Sequence, residues 1–272
     1  MNELLGLAAV DAVRWWLTVD GPHLAIVDSR RSKNGLAGQL LDAKTVERLS
    51  KLYGVRRNMV ATGPADELMA ETFGTLRRSA GSTLHAQAQE LTKAYGTIKG
   101  GLANLRPRTK DGQPYTPMNL DSGLSKLSWF VQPERWTPFD NLASTGLGIR
   151  SATARMTRME RFYTRLDELK FLDVAVAIDA LIERYELNCR VTEQNRVHGE
   201  RVLDRFLMFN GMKDGQQQSE CDVAQGFLDC APEPLGNRLQ NFFDAIQRDE
   251  TVIDFVKAIE LPTARTPKRL AS

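Results

Sequence analysis

Apolar residues recur three and four positions apart through most of this chain, and that spacing commits it to helices. Leu41, Val46, Leu49 and Leu52 mark one face of a segment over 40–53, with Gly54 as its stop. Leu169, Leu172, Val176, Ile178 and Leu181 mark a more apolar segment over 167–186. A helix turns once in about 3.6 residues, so such positions form one stripe that needs a partner surface. The same reasoning predicts helices over 66–73, 83–95 (closed by Gly96), 125–131, 141–147, 153–165, 195–209, 234–248 and 251–259. Leu24-Ala25-Ile26-Val27 is the one run that reads as a strand, followed by a polar turn over 28–35. Residues 211–218 read as a polar loop and 261–272 as a flexible basic tail. The expected fold class is mostly α: one helical unit over 1–272, or two subdomains, 1–110 and 111–260, flanking a cleft.

Composition narrows the function classes. With 42% hydrophobic and 26% charged residues the chain has the balance of a globular protein rather than a disordered one. No run approaches the roughly 18 apolar residues of a membrane helix, and the start, Met1-Asn2-Glu3-Leu4-Leu5, lacks the basic region of a secretory signal. The expectation is a cytoplasmic protein with no membrane partner. Cys189, Cys221 and Cys230 are an odd number without a CxxC pair, so no disulfide framework or zinc site of ordinary spacing is indicated. No metal or cofactor is expected. Phosphate-cradling glycine loops and serine-hydrolase or metalloprotease motifs are missing too. His23 and His85 are isolated and read as structural, and the Arg and His spacing of small helical ribonuclease toxins is absent around His198. The net charge of +2 says little about nucleic acid, so the distribution of charge has to be read instead.

The chemistry-bearing stretch is Leu124-Ser125-Lys126-Leu127-Ser128-Trp129-Phe130, then Pro133-Glu134-Arg135-Trp136-Thr137-Pro138-Phe139-Asp140-Asn141. Lys126 opens an apolar, aromatic run. Asp140 follows a Pro-Phe pair fourteen residues later. A lysine in a dry setting can lose its proton and act as a nucleophile, and a carboxylate beside it can stabilise a developing cation. The alternative is also ordinary: a surface lysine, an aspartate that caps a helix before Asn141-Leu142-Ala143, and aromatics that are core.

This pattern, Ser125-Lys126, an apolar helix, a short connection with Pro133, Trp136 and Pro138, then Phe139-Asp140, resembles the helix-hairpin-helix DNA glycosylases. Within them it is similar to the compact bacterial branch described as the 8-oxoguanine glycosylase fold. The likeness covers residues 115–150. It implies a helix-hairpin-helix glycosylase-like bundle with an active-site cleft. It also implies Lys126 as the nucleophile that attacks the sugar carbon and Asp140 as the stabiliser of the cationic sugar. The partner would be double-stranded DNA containing a modified base. Trp129, Trp136 and Phe139 would then form the base pocket, since a target base must leave the stack to be cut. One departure stands out. The family's hairpin carries Gly-x-Gly before the lysine, where this chain has Asp121-Ser122-Gly123-Leu124-Ser125, with a single glycine.

Backbone contacts to DNA are expected from basic side chains. Arg106, Arg108 and Lys110 lie in the glycine- and proline-rich stretch 99–117, which is either a phosphate-contacting loop or a solvated connector. Ser125, Arg150, Arg155, Arg158 and Arg161 are the other candidates. Arg158, Arg161 and Arg165 fall within roughly 60° of one another on a helix and form a stripe. That stripe either meets phosphate or pairs with Glu160, Asp167 and Glu168. Two functions remain open: a glycosylase acting on damaged or phage-type modified bases, the latter as antiviral defence, or a non-catalytic helical module that binds nucleic acid or protein.

Overall fold

The computed structural model describes residues 2–34, 40–55, 63–74, 76, 82–105, 120–153, 155–188 and 195–260. Among the described residues the protein is all α, with no strand. Helix α1 (Asn2–Trp15) runs into a π-helical turn, Trp16–Asp20, and then into α2 (Gly21–Asn34). The expected strand over 24–27 lies inside α2, as does most of the turn predicted after it. A four-residue apolar run has no periodicity of its own, and flanking helix decides its state. Leu24 and Val27 are buried one helical turn apart, as an amphipathic helix requires.

Next come α3 (Ala43–Leu52), capped by the Asp42 carboxylate on the Thr45 N–H, α4 (Pro64–Gly74) and α5 (Leu84–Leu105). Gly96 does not end α5. A Cβ there would meet nothing, whereas Gly101 lies against Leu68, where a Cβ would come to 2.4 Å from its Cδ2. Gly101 thus thins the face of α5 that packs on α4. Helices α6 (Asp121–Val131) and α7 (Asn141–Gly146) are joined by a nine-residue connection, 132–140. Helix α8 (Arg158–Glu168) starts later than its spacing suggests. Thr157 and Glu160 close a capping box there, which satisfies the first N–H groups and fixes the start. Lys170, in the left-handed region at φ 53°, separates α8 from α9 (Phe171–Arg184).

Helix α10 (Gly199–Asn210) is the axis of the fold. It is buried on nearly every side and packs against α1, α7 and α9. The approach of α7 is backbone to backbone. A Cβ on Gly146 would sit 2.1 Å from the Leu207 carbonyl oxygen, and one on Gly211 1.9 Å from that of Leu142. Helices α11 (Asp214–Cys230), α12 (Leu235–Ile246) and α13 (Glu250–Glu260) complete the chain, with α11 and α12 covering α1 and α13 resting on α9. Most of the loop expected over 211–218 is therefore helical. Its polar residues are the exposed first turns of α11, a helix that buries only Ala224 and Leu228. No helix among the described residues is long and apolar enough to cross a membrane.

Candidate active site

Lys126 and Asp140 come together. The Lys126 ammonium donates to Asp140 Oδ2 at 2.7 Å, and both side chains are mostly covered, 19% and 12% exposed. Ser125, one residue before the lysine, explains how. Its hydroxyl lies 3.0 Å from both the carbonyl oxygen and the N–H of Phe139, donating to one and accepting from the other. The residues preceding Lys126 and Asp140 are thus clamped to each other, and their successors meet. Asp140 is also the N-cap of α7. Its Oδ1 accepts from the Leu142 N–H at 2.7 Å. Burial pushes the Asp140 carboxyl up. The Lys126 ammonium and the N–H groups of Leu142 and Ala143 outweigh that, and the carboxyl is held below its ordinary range. Asp140 is a carboxylate at neutral pH.

Lys126 lines a cavity of about 520 Å³. Its other walls are Trp15 at the end of α1, Lys51 to Gly54 at the end of α3, and Arg201, Arg205 and Met208 on α10. Asp140 stands one ion pair behind this surface. The two arginines are themselves backed by carboxylates. Arg201 Nε meets Asp20 at 2.9 Å and its Nη1 meets Asp204, while Arg205 pairs with the fully buried Asp11. Asp11 also holds Arg14 at 2.6 Å. The Tyr53 hydroxyl donates to Asp20, and the Trp15 indole N–H reaches the same carboxylate at 3.1 Å. Burial, reinforced by the charge of Asp20, pushes the Tyr53 hydroxyl well up, so it stays a donor. The π-turn matters here. Its wider i→i+5 winding brings Trp15 and Asp20, five apart, onto the same side.

The aromatic residues expected to form a base pocket are elsewhere. Trp136 is fully buried and stacks on Tyr163 at 4.4 Å; Phe139, 5% exposed, meets Phe162 edge to face; Trp129, 2% exposed, lies beneath the Arg201 guanidinium. They are core because α6 and the 132–140 connection turn their apolar faces inward. Among the described residues, Trp15 and Tyr53 are the aromatics that reach the cavity.

Several expected DNA contacts are engaged by the protein itself. Ser125 is fully buried in the clamp described above. Arg158 braces α7, donating to the Asn141 carbonyl at 2.8 Å, the Asn141 side chain at 2.9 Å and the Ser144 hydroxyl at 3.0 Å. Arg161 donates to the Ser151 carbonyl, and Arg165 pairs with Glu168. The stripe is partly exposed and engages protein groups along its length. Arg150 and Arg155 are exposed. Arg106, Arg108 and Lys110 lie outside the described residues, as do Cys189 and the 261–272 tail.

Sequence reasoning missed Trp15, Tyr53, Arg201 and Arg205. Arg201, Asp204 and Arg205 recur three and four positions apart, which in sequence reads as an ordinary solvent-facing stripe, so their burial left no signal. No family model matches the chain, and no curated protein or solved structure matches it.

Proposed function

We propose that this protein is a DNA glycosylase that removes a modified base, with Lys126 as nucleophile and Asp140 as the group that stabilises the cationic sugar. The observation that carries the reading is the 2.7 Å Lys126–Asp140 pair at the wall of a cavity lined by cations and aromatics. Breaking the bond between base and sugar leaves positive charge on the sugar, and an ionised carboxylate fixed beforehand stabilises it without reorganisation. Asp140 meets that requirement, because its capping bonds hold it in place and its carboxyl stays ionised. The amine would attack the sugar carbon as the base departs with the bonding electrons and picks up a proton. Loss of the ammonium proton must precede or accompany the attack. Separating the lysine from its carboxylate on substrate entry frees both groups for these tasks.

A base drawn out of the duplex needs a flat surface, and Trp15 and Tyr53 offer one. Lys51, Arg201 and Arg205, each ion-paired with a carboxylate in the free protein, line the same cavity and offer N–H donors to the sugar-phosphate backbone. The exposed Arg150 and Arg155 extend the choice of phosphate contacts. A volume of about 520 Å³ leaves room for bases with added substituents, including phage-type modifications, and so for a role in antiviral defence. A cytoplasmic setting suits such a role.

The test is borohydride trapping on a panel of modified duplex DNAs, with mass spectrometry of the released bases. A covalent adduct lost in Lys126→Ala, and base release lost in Asp140→Asn, are expected. If the unsubstituted protein binds these DNAs and releases no base from any of them, the pair is a brace between α6 and α7 and the protein is a binding module.

A further inference from the structure

At the first turn of α10, against the 132–140 connection, lies a buried carboxyl with no part in the site described above. Glu200 is 6% exposed, and its Oε1 accepts the Arg135 N–H at 2.8 Å. Arg135 is left-handed, at φ 53°. A residue with a Cβ adopts that conformation only against a steric penalty, so neighbours must hold it there. Glu200 holds its N–H, and the Gln87 side-chain amide holds its carbonyl at 3.3 Å. The chain then reaches Phe139, where Ser125 takes over, and delivers Asp140.

We infer that Glu200 is a positioning residue for Asp140: by fixing the turn at Arg135 it sets where the connection brings the carboxylate against Lys126. The inference rests on that pair being the reactive centre. The surroundings of Glu200 fit a carboxyl chosen for hydrogen bonding rather than charge. Its Oε2 is buried with no hydrogen-bond partner among the described residues, as a carboxyl that keeps its proton allows. Asp179 of α9 faces it and adds negative charge. Arg196, paired with Asp179 at 3.0 Å, opposes that. Glu134 of the connection acts on Arg196, and the buried His198 is the N-cap residue at the same end of α10, with no capping bond from its ring. Burial, with Asp179 adding to it, pushes the Glu200 carboxyl up to about 7. The hold on Arg135 is therefore set to change character near neutrality.

The experiment compares the unsubstituted protein, Glu200→Gln and Glu200→Ala. Asp140 is followed by carboxyl-carbon NMR titration, its signal assigned with Asp140→Asn. Glutamine keeps the acceptor and removes the titration; alanine removes both. Asp140 should titrate below the ordinary range in the unsubstituted protein and in Glu200→Gln, and about one pH unit higher in Glu200→Ala. In the unsubstituted protein its signal should move a second time near pH 7, and this step should vanish in Glu200→Gln. Adduct formation should drop about tenfold or more in Glu200→Ala and recover in Glu200→Gln. A folded Glu200→Ala with an unchanged Asp140 titration overturns the inference. If that variant does not fold, the lack of a second step in the unsubstituted protein overturns it instead. An Asp140 signal that responds as expected in a protein that releases no base leaves the positioning role standing and removes the glycosylase reading.

Discussion

The Lys126–Asp140 pair and the Arg201–Asp20 pair are the same chemistry placed in two settings. Both join a cation at the cavity wall to a carboxylate behind it. Among the described residues Lys126 makes one ion pair, and it keeps about a fifth of its side chain in solvent, on a flexible stem. Arg201 is only 7% exposed, engages Asp20 and Asp204 together, and lies over Trp129. A planar guanidinium gripped at two edges has little freedom, and either partner left alone would be a buried bare charge. The difference separates tasks. The lysine can leave its carboxylate when a ligand arrives. The arginine holds α10 to the π-turn and cannot.

That contrast sets the order of expected effects. Asp20→Ala should be the most damaging change, because it strips Arg201, Tyr53 and Trp15 of a shared acceptor. A loss of about 3–5 kcal/mol in urea denaturation is expected, with failure to fold as the extreme. A loss under about 1 kcal/mol would mean that the arginine is no more committed than the lysine.

Glu200→Gln tests a third setting, a buried carboxyl without a full counter-charge. A carboxyl whose folded value lies near 7 and whose unfolded value is near 4.5 holds its proton more tightly in the folded protein. Its contribution to stability is complete below about pH 4.5, declines as pH rises through 7, and is flat above that. At about 1.4 kcal/mol per unit the decline amounts to about 3 kcal/mol. Urea midpoints at pH 5 and pH 8 should show this fall in the unsubstituted protein and a smaller one in Glu200→Gln. Equal falls in both would remove Glu200 from the account.

Lys126→Met should cost least, about 1 kcal/mol, since its pair is partly wet and Asp140 retains the Leu142 N–H. Its mark should be on titration: the Asp140 carboxyl should rise, because the ammonium is the main group holding it down. A cost as large as that of Asp20→Ala would make the lysine a structural element and weaken its role as nucleophile.

The helices were mostly legible, because periodic apolar spacing is a property of each segment alone. The closeness of Lys126 and Asp140 was suggested by their spacing around a proline-bracketed connection. The role of Ser125 was not, since a serine beside a lysine reads equally as a ligand contact and as a backbone clamp. Trp129, Trp136 and Phe139 were misplaced for a related reason. An aromatic side chain near a reactive residue is close in sequence, but the direction it faces depends on which helix packs over it, here α8 and α10. Trp15 and Tyr53 reach the site from helices far away in the chain, and Trp15 is aimed by a π-turn with no clear mark in the residue pattern.

The placement of Trp15 has a practical side. Of the four tryptophans, Trp16, Trp129 and Trp136 are 6%, 2% and 0% exposed, while Trp15 is partly exposed on the cavity wall with the Arg205 guanidinium 5.2 Å from its ring. A small collisional quencher in solution should therefore dim chiefly one indole. Any molecule that occupies the cavity should shield that indole in proportion to its occupancy. The protein carries its own optical gauge of ligand entry, readable without a label and before any chemistry takes place.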